Sequence, residues 1–356
     1  MREHLAQLLI IAIGTVFVTP SFAAPANAVD SKSSEMAEEE GGPEEAASED
    51  VEATAAVTEE EARPFGGTVT FSNSVGFGTF IPGEFTDRPA YDITFVVAPY
   101  YKIDDHQRIS SSISVTQNVI TNADSVVTRS NQALLSDLLL SYSYSKIVEE
   151  PVTGISMSGS LALVMPTSLA SQYRTTLLSV APTLSAAWSW EWLSVSYSLQ
   201  YRKWFHEFDH PAVDLEGVVG APICINRSSQ DPDKCFPGGY ANVSFRLGNT
   251  IGLGFTPMDG LRIGTTFIFY NSFAYDTHPE EDEFTSENAV AGQTQRDTTY
   301  ANIDVTYTIT DYLSASLGTE TFQPPKTADN KSFRFPFFTP DANNFTSFYL
   351  ALAGSF

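Results

Sequence analysis

From residue 66 onward, hydrophobic and polar positions alternate in twos and keep doing so to the end of the chain. In 67–80, Val69, Phe71, Val75 and Phe77 fall on one side, with Thr68, Thr70, Ser72, Ser74, Gly76 and Gly78 on the other. The rhythm recurs in 109–119 and in 155–165. It is clearest where Leu193, Val195, Tyr197, Leu199 and Tyr201 stand over Ser194, Ser196, Ser198 and Gln200. Side chains of a strand point to alternate faces, so period two sustained over ten or more residues predicts strands with one apolar and one polar face. Twelve are predicted, near 67–79, 90–102, 107–121, 133–147, 154–167, 175–189, 192–206, 239–255, 261–275, 298–310, 312–324 and 343–356. They exceed the ordinary strand of about five or six residues.

The connections alternate too. Asp104-Asp105-His106, Glu149-Glu150-Pro151, Trp190-Glu191-Trp192, Pro257-Met258-Asp259-Gly260 and Thr310-Asp311 are tight, whereas 207–238, 276–297 and 325–342 are long. Short turns at one end, long loops at the other and an even strand count predict an all-β fold, a closed antiparallel transmembrane β-barrel of about twelve strands. Closure has a simple cause: hydrocarbon cannot satisfy an open sheet edge.

The N-terminal end has a different grammar. Arg2, the apolar run Leu5–Val18 and the small residues Ala26-Asn27-Ala28 predict a secretory signal peptide over 1–28, with cleavage after Ala23 or Ala24 as the alternative. Residues 29–65 form an acidic low-complexity segment, with thirteen acids against two bases over 29–64, a net −11 of the chain's −24. A stretch so charged and so poor in apolar surface is expected to be disordered on the periplasmic side, as a spacer, a gate, or an arm for a basic partner. The barrel takes 66–356. Only 17% of the 356 residues are charged, and no mature stretch is apolar enough for a spanning helix. The acidity excludes a nucleic-acid binder, which needs a basic face.

The last strand ends Phe348-Tyr349-Leu350-Ala351-Leu352-Ala353-Gly354-Ser355-Phe356, with Phe348, Leu350, Leu352 and Phe356 on one side. It resembles the terminal strand of Gram-negative outer-membrane β-barrels of the porin-like class, where a final Phe on an alternating strand acts as the assembly signal. The resemblance implies insertion by the barrel-assembly machinery, an outer-membrane location among lipid and lipopolysaccharide, and both termini in the periplasm.

With the apolar face toward lipid, the polar face lines a lumen. That lining is short: Ser141, Ser143, Ser145, Ser156, Ser158, Ser160, Ser194, Ser196, Ser198, Ser314, Ser316 and Gly318. Small hydroxyls leave room for water, which predicts a channel for passive or facilitated passage of small hydrophilic solutes. A filled, non-transport barrel (structural, adhesive or assembly-associated) is the alternative. Arg202 and Arg246 fall on adjacent strands with Arg262 on the next; Asp304 and Glu320 share a strand pair, and Asp92 and Asp137 lie toward the outer ends of theirs. Opposed signs across a narrow lumen would select solutes by charge, or pair as bridges that hold the shape. Cys224 and Cys235 share the longest loop and an oxidising compartment, which predicts a disulfide. His206, Glu207, Asp209 and His210 cluster beyond the seventh strand but fit solvated rim charge better than a metal or catalytic set. No enzyme activity and no cofactor is expected. The acidic loop Asp276–Asp297 could share divalent cations with lipopolysaccharide.

Overall fold

The structure, a computed structural model, describes residues 64–80, 90–120, 131–211, 213–214, 226–227, 234–236, 241–277, 292–326, 331–334 and 346–356. The expected signal peptide and nearly all of the acidic segment lie outside these residues. Strands follow one another as β1 (Phe65–Gly76), β2 (Tyr91–Lys102), β3 (Gln107–Ile120), β4 (Gln132–Leu135), β5 (Leu138–Glu149), β6 (Ser156–Met165), β7 (Thr176–Trp190) and β8 (Leu193–His206). Then come β9 (Val213–Asp214), β10 (Asn226–Arg227), β11 (Lys234–Phe236), β12 (Val243–Met258), β13 (Leu261–Thr277), β14 (Gly292–Thr310), β15 (Leu313–Gln323) and β16 (Thr346–Ser355).

Each long strand pairs antiparallel with its neighbours, and β1 meets both β2 and β16, so the sheet closes on itself. β4 and β5 together make one crossing, interrupted at Ser136-Asp137, so the thirteen strands of this sheet cross as twelve spans. The interruption is bridged by a side chain: the Ser114 amide donates to Ser136 Oγ at 2.7 Å while the Ser136 amide donates to the Ser114 carbonyl. All twelve expected spans are present. β14 begins six residues earlier than the alternation predicts, at Gly292, through pairing with the long β13. The stretch expected as one loop between β8 and β12 holds a small three-stranded sheet, β10-β11-β9.

The turns are tight where expected. Asp259-Gly260 joins β12 to β13 in two residues, and Gly260 adopts the left-handed φ of +78° that a side chain disfavours. Asp104 stabilises the β2–β3 turn by accepting from the amides of His106 and Gln107 at 2.8 and 2.7 Å. These bonds favour its ionised form and hold its carboxyl below the ordinary range.

Outward positions are apolar and bare. Phe71, Phe95, Leu161, Leu184, Leu199, Ile251, Ile303, Leu350 and Leu352 are all exposed. An apolar band of this extent around a closed ring needs lipid, since water would leave it unburied. At the tight-turn end it is bordered by aromatics, with Trp192 between Trp190 and Phe255 at ring separations of 6.1 and 5.2 Å.

The seam between the first and last strands has its own lock. Phe356 and Gly67 exchange backbone hydrogen bonds at 3.0 and 3.1 Å, and the Phe356 ring lies 6.4 Å from that of Phe65. A Cβ on Gly67 would fall 2.7 Å from the Phe356 ring, so the glycine makes the seat for it. Phe348, Leu350 and Leu352 face outward on β16, as the alternation predicts.

Candidate functional site

Register fixes what faces the lumen. On β8 the inward row runs Ser194, Ser196, Ser198, Gln200, Arg202, Trp204; opposite it on β12 run Gly254, Gly252, Thr250, Gly248 and Arg246. Arg202 and Arg246 are direct register partners, as their placement on adjacent strands suggested. They do not, however, stand free in water. Arg202 is 1% exposed and Arg246 6%, and their guanidinium carbons sit 4.8 and 5.1 Å from the ring of Trp204. Arg246 also stacks on Tyr270 at 4.2 Å, and Arg202 Nε donates to Ser179 Oγ at 3.0 Å. Weakly hydrated guanidinium planes pack well on aromatic faces, so two like charges share one indole. An open hydroxyl-lined path at this level is therefore corrected to a packed cluster. The signal was available: Trp204 and Tyr270 have the parity of the arginines.

The acids stand on the other side of the ring. Glu320 on β15 is buried and accepts from the Tyr300 hydroxyl at 3.1 Å. Asn302, its register partner on β14, donates to the Tyr349 hydroxyl at 2.8 Å, and Asp304 accepts from Thr306 at 2.9 Å. Gly318 lets this set close up, since a Cβ there would meet the Tyr349 ring at 2.6 Å. Asp92, near the loop end of β2, lies six spans from β12 in either direction round the ring, opposite Arg246. Arg262 is separate from the arginine pair, at the tight-turn end of β13 beside Thr306. Asp137 is not a lumen charge of the expected kind. Its carboxylate accepts from the Ser168 amide at 2.8 Å and from the Ser171 hydroxyl, tying down the short helix α1 (Leu169–Tyr173).

Exposure divides the lumen in two. Inward residues of the loop-end half, such as Ser72, Ser74, Thr94, Thr116, Ser179, Asn302 and Glu320, are buried. In the turn-end half Ser143, Ser156, Ser158, Ser185, Ser194, Ser196, Ser314 and Ser316 are half-exposed and line a vestibule. Here the structure brings together a second basic pair that the alternation did not single out. Lys102 and Arg108 are register partners across the β2–β3 turn, and both lie over Tyr100, at 5.8 and 4.9 Å from its ring. Equal parity on the two sides of a short turn is the sequence signal for this pair.

The cluster beyond β8 is not all solvated rim charge, because His210 is buried. His206 approaches the carbonyls of Arg174 and Val243 through its two ring nitrogens, at 2.9 and 3.1 Å. Among the described residues no group of three or more His, Cys, Asp and Glu could hold a metal ion. Cys224 and the side chain of Cys235 lie outside the described residues, as does most of the acidic loop after β13.

No protein-family model matches this chain. No curated protein matches it either. Among solved structures it is similar to the COG4313 outer membrane channel from Pseudomonas putida F1, at TM-score 0.49 and 9% identity over 85% of this chain and 100% of the other. It is also similar to the NanC porin, at TM-score 0.43 and 8% identity over 81% and 98%, and to the KdgM porin, at TM-score 0.39 and 9% identity over 81% and 99%. At such identities none of them lends this chain a residue role or a solute. The ring closure, apolar exterior and polar interior decide the class on their own. This is the architecture of an outer-membrane β-barrel.

Trp204 is the keystone of the basic wall, 1% exposed and in contact with both guanidiniums. Replacing it with Ala removes a buried indole and the platform the two charges share. The expected cost is about 3–5 kcal/mol, read as an earlier loss of the folded, heat-modifiable gel band on urea titration in detergent micelles.

Proposed function

We propose that the protein is a porin-like channel of the outer membrane, passing small hydrophilic solutes passively or by facilitated diffusion. The observation that carries this reading is the half-exposed, serine-lined vestibule in the tight-turn half of the lumen. Small hydroxyls neither fill such a space nor bind a solute tightly, while the Arg202–Arg246 wall and Asp92, Asp304 and Glu320 supply charges of both signs for selection. Arg262 adds a further positive charge near the vestibule. In this reading both termini are periplasmic, at the tight-turn end, with a signal peptide over 1–28 removed on export. Phe348, Leu350, Leu352 and Phe356 serve the barrel-assembly machinery, a Cys224–Cys235 disulfide steadies the long loop, and the acidic loop meets lipopolysaccharide. The work is transport and not catalysis.

A second reading has its own observation. Arg202, Trp204, Arg246, Tyr270, Tyr300 and Tyr349 are all buried in the loop-end half, as they would be in a filled, non-transport barrel. Planar-bilayer recording of the refolded protein separates the two: stable current steps support the channel, and a silent barrel of correct fold supports the filled one.

The described residues begin at Pro64, where the expected acidic segment runs into the barrel. Deleting 29–63 is expected to leave the barrel folded, with heat-modifiability and unfolding midpoint unchanged, because a segment so acidic and so poor in apolar residues has little surface to bury and, among the described residues, no register pair precedes Phe65. Loss of the folded band in that deletion would show that the segment belongs to the fold.

A further inference from the structure

We propose that Asp92, Glu320 and Asn302 form a binding site in the lumen wall for the primary ammonium group of a small organic solute. The site rests on the channel reading and names the class of solute that the channel favours. Two acids of the wall lack a counter-charge. Asp92 on β2 and Glu320 on β15 are three spans apart round the ring, and the side chains between them are short: Asp92 pairs with Ser74, and Ser347 pairs with Glu320. The Asp92 carboxylate is close enough to repel that of Glu320. Neither acid meets a Lys or Arg among the described residues, whereas Asp304, one row nearer the turn end, faces Arg262. Ionised carboxylates withdrawn from bulk water need a cation. Asp92 is half-buried and Glu320 buried, so the pair runs from the lumen surface into the wall.

The acceptors that remain define the cation. Glu320 Oε2 accepts from the Tyr300 hydroxyl at 3.1 Å, but Oε1 is buried with no hydrogen-bond partner. Asn302, the register partner of Glu320, is 3% exposed. Its Nδ2 donates to the Tyr349 hydroxyl at 2.8 Å, which fixes the amide plane, and its Oδ1 is buried with no partner. This neutral oxygen is a sign, independent of the acids, that a donor belongs here. Asp92 adds a carboxylate that makes no hydrogen bond among the described residues.

A primary ammonium carries three N–H donors and no acceptor, which matches this set. A guanidinium wants both oxygens of one carboxylate, and Tyr300 already holds one of Glu320. A divalent metal wants about six oxygen ligands, and among the described residues no group of three His, Cys, Asp or Glu is placed to hold one. The Tyr349 ring, seated over Gly318, adds an aromatic face to the same wall.

The test measures equilibrium binding by the full chain refolded in detergent micelles, not passage. Ethylammonium chloride is titrated at constant ionic strength and followed by saturation-transfer NMR, with empty micelles as the blank. Saturable binding is expected. Tetramethylammonium, which has the same charge and no N–H donor, is expected to bind at least about tenfold more weakly. Glu320→Gln and Asp92→Asn each weaken ethylammonium binding at least about tenfold, and Asn302→Leu weakens it about fivefold. Asp105→Asn, in the exposed β2–β3 turn, leaves it unchanged. Should Glu320→Gln lose its folded band, Asp92→Asn at its half-buried position decides. Equal affinity for the two ammonium ions overturns the site, as does affinity indifferent to Asp92→Asn. So does a lack of saturable binding, the result if the two acids share a proton, or displacement of ethylammonium by a lower concentration of calcium. A barrel that conducts without binding ethylammonium refutes this site alone, whereas one that binds it and stays silent in planar bilayers refutes the channel reading.

Discussion

Deleting Phe356 is expected to leave most of the protein outside the membrane, as periplasmic chain that fails to show the heat-modifiable folded band. Two losses coincide there. The terminal strand loses the aromatic that the assembly-signal reading assigns to it. The seam loses the residue that exchanges two backbone hydrogen bonds with Gly67 and packs against Phe65. Phe356→Leu keeps the backbone bonds and an apolar side chain, so it is expected to insert partially, whereas Gly67→Val drives a side chain into the Phe356 ring and is expected to fail nearly as badly as the deletion. Cell fractionation with gel mobility before and after boiling checks all three. Normal insertion of the deletion would overturn both roles of the terminal residue.

The second large effect concerns selectivity. Replacing Arg202 and Arg246 together by Ser is expected to move permeation toward cations, with at least about a tenfold change in the anion-to-cation permeability ratio at low salt. The size follows from confinement: two charges a few ångströms apart interact by about 4 kcal/mol each way at an effective dielectric near 20, and about 1.4 kcal/mol is already tenfold. Salt reduces the shift, because screening shortens the reach of what remains. Burial adds a second expectation that alternation alone did not give. Both side chains are packed on Trp204 and Tyr270, so the double variant also loses stability. Reversal potentials separate the contributions. If they are unchanged at low salt while the unfolding midpoint falls sharply, the arginines hold the wall and do not filter.

These outcomes follow from features of unequal visibility in the sequence. The spans are legible because a lipid-facing position must be apolar and its neighbour need not be, and this constraint writes period two from Val69 to Leu352. The terminal motif is legible for the same reason. The start of β14 is not: Gly292-Gln293-Thr294-Gln295-Arg296 stands beyond the apolar band and is held by pairing with β13, which leaves no hydrophobic trace. Nor is the break at Ser136-Asp137, where a hydroxyl replaces a ladder bond and polar residues look like any others on the inward face.

The lumen was readable by parity but not by packing. Alternation assigns Arg202, Arg246, Asp304 and Glu320 to one side of their strands, and register agrees. It cannot say that Trp204 lies between two guanidiniums, or that Asp137 turns away to hold Ser168 and Ser171. Those are facts of side-chain size and of which strands become neighbours. Lys102 and Arg108 were within reach, because two like charges flanking a short turn at equal parity must meet whenever the hairpin forms.

Thr68 pairs with Ser355 across almost the entire length of the barrel-forming sequence. Every other seam of the ring joins strands that follow each other closely or across one long loop, so this one alone carries the contact order of the whole fold. Bringing ends so far apart together costs roughly 5 kcal/mol of loop-closure entropy, and it cannot begin until the last strand has been exported. Slow closure is the predicted signature, with an unclosed sheet carrying two bare edges in the meantime. A circular permutant that joins the present ends and opens the ring at the loop after β8 would move that delay to the β8–β12 seam, and with it the place where the unfinished barrel is most exposed to aggregation.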